Sequence, residues 1–149
     1  MPEKTENSHR LVVVSNRVAN FSAKFQTGGL AVALGDALKA SKGVWFGWSG
    51  ETRDDAVSVP PHAENIAGLT VATIDLTDKE AEGYYFGYAN RCLWPALHYR
   101  LDLAQSNEEQ SEIYFQVNAR FADALMPLIQ PNDIIWINDY HLIPLAEEL

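Results

Sequence analysis

The chain has 149 residues, the length of one ordinary globular domain, of which 47% are hydrophobic and 21% charged. Eleven Lys and Arg against twenty Asp and Glu leave a formal charge of −9, which argues against duplex DNA or anionic lipid as a partner. A lone cysteine, Cys92, excludes an intrachain disulfide, and no uncharged run reaches membrane-spanning length. The polar start MPEKTENSHR lacks the apolar segment of a secretory signal, so the expected compartment is the cytosol.

Residues 1–9 read as a polar tail. Leu11, Val12, Val13 and Val14 form a continuous apolar run, the pattern of a strand covered on both faces, which should stop at Ser15–Asn16. Thr27-Gly28-Gly29 then precedes Leu30, Val32, Ala33, Leu34, Ala37 and Leu38, spaced as an amphipathic helix ending near Lys42-Gly43. Val44 to Trp48 reads as a second strand and residues 52–68, with Pro60 and Pro61, as a surface excursion. Leu69 to Leu76 is β-rich and predicts a third strand.

Thr77-Asp78-Lys79-Glu80 is a capping-box pattern opening a helix that carries Tyr84, Tyr85 and Tyr88 towards Trp94-Pro95. Ser106-Asn107-Glu108-Glu109 repeats the pattern before a helix with Ile113, Val117, Phe121, Leu125 and Leu128 along one stripe. Asp133 to Ile137 is another buried-strand pattern, followed by Asn138-Asp139-Tyr140-His141 and a helix beginning at Leu142. Alternating strands and helices predict a single α/β domain over residues 10–149 with a mostly parallel sheet. The chain ends two turns into that last helix without a polar stop, as if cut.

In parallel sheets ligands sit beyond the carboxyl ends of the strands. Ser15-Asn16-Arg17, Trp48-Ser49-Gly50 and Asn138 to His141 all occupy that position. An arginine there can grip a phosphate through paired hydrogen bonds, or simply pair with a surface carboxylate. The Gly28-Gly29 turn lets backbone amides approach a phosphate or sugar oxygen, yet matches neither GxxxxGK[ST] nor GxGxxG. Asp139 can accept hydrogen bonds from sugar hydroxyls or cap the following helix. His141 has no second histidine at ligand spacing, so no metal is expected. Trp45, Trp48, Tyr84, Tyr85, Trp94 and Tyr99 suit packing against sugar rings, although each alone suits a core equally well.

Read together, LVVVSNR at 11–17, TGGLAVAL at 27–34, VWFGWSGE at 44–51, LWPALHYR at 93–100 and DIIWINDYHLIP at 133–144 resemble the trehalose-6-phosphate synthases, retaining glycosyltransferases of family 20. The resemblance runs from Arg10 to Leu149. It implies the Rossmann-like N-terminal, acceptor-binding half of a GT-B enzyme, with the C-terminal nucleotide-sugar half absent. Arg17 would hold the phosphate of glucose 6-phosphate, and Trp48, Tyr85 and Trp94 would line the acceptor pocket. Asp139, the implied catalytic residue, would bind the acceptor sugar, while Gly28 and Gly29 would meet the donor, UDP-glucose.

The implied reaction is transfer of glucose with retention, giving trehalose 6-phosphate and UDP without cofactor or metal. This chain alone should be inactive, its cleft face exposing Trp48, Tyr85 and Trp94 and so favouring self-association. Asn138 departs from the family, many of whose members have histidine there. Two alternatives stay open: a stand-alone, non-catalytic sugar-phosphate-binding module or synthase partner, and a related synthase with another acceptor such as glycerol 3-phosphate.

Overall fold

In the computed structural model, which describes residues 9–18, 37–66 and 68–149, the apolar runs become the centre of a five-stranded sheet. Its strands are β1 (Leu11–Arg17), β2 (Val44–Thr52), β3 (His62–Ile66), β4 (Leu69–Leu76) and β5 (Ile134–Ile137), in the order β3-β4-β2-β1-β5. β1 pairs in parallel with β2 and β5, and β2 with β4; only β3 runs antiparallel, against β4.

Alternate residues of the central strands feed two cores. Val12, Val14, Phe46, Ala72 and Ile74 meet the helices on one face, and Val13, Trp45, Val71 and Leu38 pack on the other. That double burial is why β1 carries no polar alternation until its end. Register shifts between Ser15 and Arg17 and between Trp48 and Thr52 fall at the carboxyl ends of β1 and β2. Each offsets the pairing where polar residues begin, and pairing then resumes at Arg17 with Trp48 and at Thr52 with Leu76.

Two helices cover the first core. The helix α1 begins as α at Asp78–Glu80, widens to π over Ala81–Leu93 and returns to α over Trp94–Leu97. The predicted capping box at its start is present: Thr77 Oγ1 accepts from the Glu80 amide at 3.1 Å, and Glu80 Oε2 accepts from the Thr77 amide at 2.7 Å. Glu80 also pairs with Arg120 at 3.1 Å, tying α1 to α2 (Glu108–Leu125). At Gly83 the two helices approach so closely that any Cβ would collide with Ile113, so only glycine fits. Tyr84 and Tyr88, four residues apart in the π segment, both pack on Tyr114 of α2, at 5.9 and 4.8 Å between ring centroids.

The expectations fail where pairing or local hydrogen bonding overrides pattern. The excursion over residues 52–68 contains β3, whose residues up to Asn65 are exposed. Its strand is formed by backbone pairing to β4 rather than by burial, so no hydrophobic alternation marks it. Asn107, not Ser106, caps α2: its Oδ1 accepts from the Gln110 amide at 2.8 Å, while Glu109 pairs with Lys79 at 2.9 Å. The Asp133–Ile137 run is not buried on both faces: Ile134 and Trp136, which share one face of β5, the last strand of the described sheet, are half-exposed. The expected terminal helix is split into a 3₁₀ turn at Tyr140–Leu142 and the short α3 (Leu145–Glu148). Of the helix predicted from Leu30, only the end at 37–40 falls among the described residues; Gly28, Gly29 and the tail at 1–8 lie outside them.

A charged clamp pins β5 to β1. Arg10 donates through Nε and Nη2 to the two oxygens of Asp133, at 2.9 and 2.6 Å, and through Nη2 to the Leu128 carbonyl at 2.7 Å. The Arg10 hydrogen bonds hold the Asp133 carboxyl below the usual carboxylate range. A depressed folded-state pKa contributes stability that is complete above about pH 4, the unfolded value, and is lost as the pH falls further. Asp133→Ala is expected to cost about 2 kcal/mol at pH 7 in urea unfolding, with the difference from the parent shrinking below pH 4.

Candidate functional site

The site forms where β1, β2 and β5 end together. Arg17, the last residue of β1, is exposed and donates from Nη2 to the Gly50 carbonyl at 3.2 Å. Gly50 has φ +94°, and a Cβ there would run into the Arg17 guanidinium, so glycine leaves the space that the arginine occupies. The guanidinium carbon lies 4.8 Å from the centroid of the Trp48 ring, a cation–π distance. Among the described residues Arg10, Arg53, Arg91, Arg100 and Arg120 all pair with carboxylates, and Arg17 does not. Among the described residues, then, this guanidinium forms no surface ion pair.

From Arg17 a row of rings leads along the rim. Trp48 meets Tyr85 edge-on at 5.7 Å, and Tyr85 stacks on His141 at 5.2 Å with 16° between planes. Tyr140 lies 4.1 Å from His141 and 5.2 Å from Trp94, and its hydroxyl donates to Asn90 Oδ1 at 2.7 Å. Nδ1 of His141 is 3.1 Å from Oδ1 of Asp139, at an angle too poor for a hydrogen bond, and Asp139 Oδ1 also accepts from the Tyr140 amide at 3.0 Å. The structure therefore brings Arg17, Trp48, Tyr85, Trp94 and Asp139 into one connected group. Gly28 and Gly29 lie outside the described residues.

Trp48 corrects one expectation. It is only 3% exposed, its indole N–H donating to the Glu51 carbonyl at 2.8 Å, so it does not present itself to solvent. The register shift between Trp48 and Thr52 falls at the segment whose Glu51 carbonyl takes the indole N–H. Trp94 is half-exposed as expected, and further apolar exposure lies at Leu97, the end of α1, and at Tyr99, Leu101 and Leu103 beyond it.

Beneath the rim a buried polar layer escaped the sequence reading. Tyr84 donates to Asn16 Oδ1 at 2.9 Å, and Trp45 donates to Ser15 Oγ at 2.8 Å. Burial pushes the Tyr84 phenol well above its usual pKa, and burial with the nearby Asp139 charge raises Tyr140. Both remain neutral at physiological pH.

Asp139 itself is strained. Its φ of 100° and ψ of 143° approach a region almost reserved for glycine, costing about 1–3 kcal/mol. Such strain persists only where neighbours over-determine the backbone, and it gathers at functional sites.

A separate cavity of about 500 Å³ lies between Pro60, Pro61, His62, Thr73 and Asp75. Its Arg53 is already paired with Asp55 and Asp75, so it is a weaker candidate despite its size. Among the described residues no cluster of three or more His, Cys, Asp or Glu could hold a metal, and no helix is long and apolar enough to cross a membrane.

A mostly parallel α/β sheet with a polar, aromatic rim at its strand ends is the Rossmann-like N-terminal domain of a GT-B glycosyltransferase. The sequence pattern of glycosyltransferase family 20 matches residues 3–149, and the chain belongs to that family. A trehalose-6-phosphate synthase of Salmonella typhimurium strain LT2 is 51% identical over 140 residues, covering 94% of this chain and 29% of the relative. A UDP-forming trehalose-phosphate synthase of Burkholderia xenovorans, solved in complex with glucose-6-phosphate, is 46% identical with a TM-score of 0.79. It covers 93% of this chain and 30% of that one. An E. coli structure bound with UDP-2-fluoro glucose is 48% identical over 93% of this chain and 29% of that one, with a TM-score of 0.84. The chain thus spans under a third of the length of the relatives it matches.

Proposed function

We propose that the chain is part of the acceptor-binding half of a retaining glucosyltransferase that moves glucose from UDP-glucose to glucose 6-phosphate, yielding trehalose 6-phosphate and UDP. The observation that carries this reading is Arg17, the described arginine with no carboxylate partner, at the head of an aromatic row that ends at Asp139. Relatives at about half identity are trehalose-6-phosphate synthases, and one was solved with glucose-6-phosphate bound. Both support it.

In this reading Arg17 takes the acceptor phosphate through its planar fork, for which a carboxylate would otherwise compete. Trp48 backs the guanidinium from beneath. Tyr85 and the more open Trp94 border the sugar, and Asp139 accepts hydrogen bonds from its hydroxyls. Gly28 and Gly29, outside the described residues, are assigned to the donor by the family resemblance alone. In the reaction the anomeric C–O bond of UDP-glucose breaks and UDP leaves. The anomeric hydroxyl of glucose 6-phosphate forms the new bond on the same face, and its proton passes to the departing phosphate. The protein's part is to position both sugars and stabilise charge, which needs no nucleophile. The residues that hold UDP belong to the other half, so this chain alone should release no UDP. Its single cysteine favours the cytosol.

Calorimetric titration of the chain with glucose 6-phosphate, glucose and glycerol 3-phosphate tests the reading. Saturable binding of glucose 6-phosphate, at least tenfold tighter than either competitor, is the expected result. Equal binding of glycerol 3-phosphate would move the acceptor assignment, and no binding of any of them would overturn the acceptor half altogether.

A further inference from the structure

We infer that Tyr114 and Asn118, one turn apart on α2, are positioning residues that hold Asp139 in its strained conformation. The inference rests on the acceptor-site reading for Asp139, and it concerns residues that touch neither the rim's rings Trp48 and Tyr85 nor Arg17.

An i, i+4 pair lies on one helix face, here the buried one: Tyr114 is 2% exposed and Asn118 fully buried. Both reach the backbone just after Asp139. The Tyr114 hydroxyl donates to the Tyr140 carbonyl at 2.9 Å, and Asn118 Nδ2 donates to the His141 carbonyl at 3.1 Å and to the Tyr114 carbonyl at 2.9 Å. On the other side the Asn138 amide donates to the Val14 carbonyl of β1 at 2.8 Å. Asp139 is therefore clamped before and after, to the sheet on one side and to α2 on the other. With both flanks fixed, a φ of 100° is held in place.

Asn118 sits on a stripe otherwise made of Ile113, Val117, Phe121 and Leu125, where an apolar residue would pack without cost. Its Oδ1 has no hydrogen-bond partner, so the asparagine leaves a polar group unmet while its amide holds the loop. A residue chosen for packing alone would not do that. The directed amide, aimed at the turn that carries Asp139 and His141, marks a positional demand.

The test separates holding the loop from stabilising the fold. Tyr114→Phe keeps the ring that stacks on Tyr84 and removes only the hydroxyl; Asn118→Ala removes the amide; Val117→Ala, on the same helix between them, is the stability control. Glucose 6-phosphate affinity by calorimetry and hydrogen exchange at the Tyr140 and Leu142 amides are read beside the urea midpoint. Expected is a three- to tenfold loss of affinity in Tyr114→Phe with faster exchange at those amides. Val117→Ala should lower the midpoint at least as far while changing affinity less than twofold. Should Asn118→Ala not fold, Tyr114→Phe alone carries the comparison. Unchanged affinity and exchange in Tyr114→Phe, or equal effects in Val117→Ala, would overturn the inference. If the parent chain binds no glucose 6-phosphate, the acceptor reading fails, and exchange alone decides: accelerated in Tyr114→Phe but not Val117→Ala supports the clamp, anything else removes it.

Discussion

Arg17→Ala is expected to weaken glucose 6-phosphate binding by about 10- to 150-fold, the 1.5–3 kcal/mol carried by charge-assisted hydrogen bonds to a phosphate. Stability should hardly change. The side chain is exposed and makes one 3.2 Å bond to Gly50, so the urea midpoint should stay within about 0.5 kcal/mol of the parent. Arg17→Lys separates charge from shape. An ammonium keeps the attraction but loses the bidentate fork, so its affinity should fall between parent and alanine. The contrast with the other arginines matters. Arg100→Ala removes a solvent-exposed pair with Asp102 and should leave binding untouched. Calorimetry showing Arg17→Ala at parental affinity would remove Arg17 from the site.

The second large effect is on the fold. Phe121→Ala should destabilise the chain by about 3–5 kcal/mol, because a fully buried ring leaves a cavity that the close-packed surroundings fill only in part. Phe121 meets Phe46 of β2 edge-on at 5.5 Å and Tyr84 of α1 at 6.1 Å, so one ring joins the sheet to both helices. Domains hold only about 5–15 kcal/mol in total, and this loss is a large share of it. The urea midpoint should fall with the slope unchanged, and glucose 6-phosphate affinity of the folded fraction should survive. A loss below 1 kcal/mol would contradict the packing around Phe121.

What could be read from the residues alone follows their range of influence. Val12 to Val14, Val44 to Trp48 and Leu69 to Leu76 announce themselves as strands because burial on both faces demands an apolar run. Thr77 and Glu80 announce a helix start because a capping box closes within four residues. The same logic brings Arg17, Trp48 and Asp139 to one rim, since the carboxyl ends of parallel strands must share an edge. β3 stays silent because its strand depends on β4 and not on its own side chains. A buried Asn118 on an apolar stripe was a visible signal, a polar residue where leucine would serve, but its target could not be named from the chain.

The sequence by itself determined the strands β1, β2, β4 and β5, the two long helices and which residues arrive at the strand ends, because periodicity, capping and turn chemistry act over a few residues. The tertiary structure alone decided that Trp48 is covered, that Arg17 meets no carboxylate among the described residues, that Ile134 and Trp136 of β5 stay half-exposed and that Asp139 is clamped at φ 100°. Those outcomes depend on contacts between residues tens of positions apart, Arg17 with Gly50, Tyr85 with His141, Tyr114 with Tyr140. Hydrogen bonds and ring contacts of that span exist only once the sheet and its helices have closed around them.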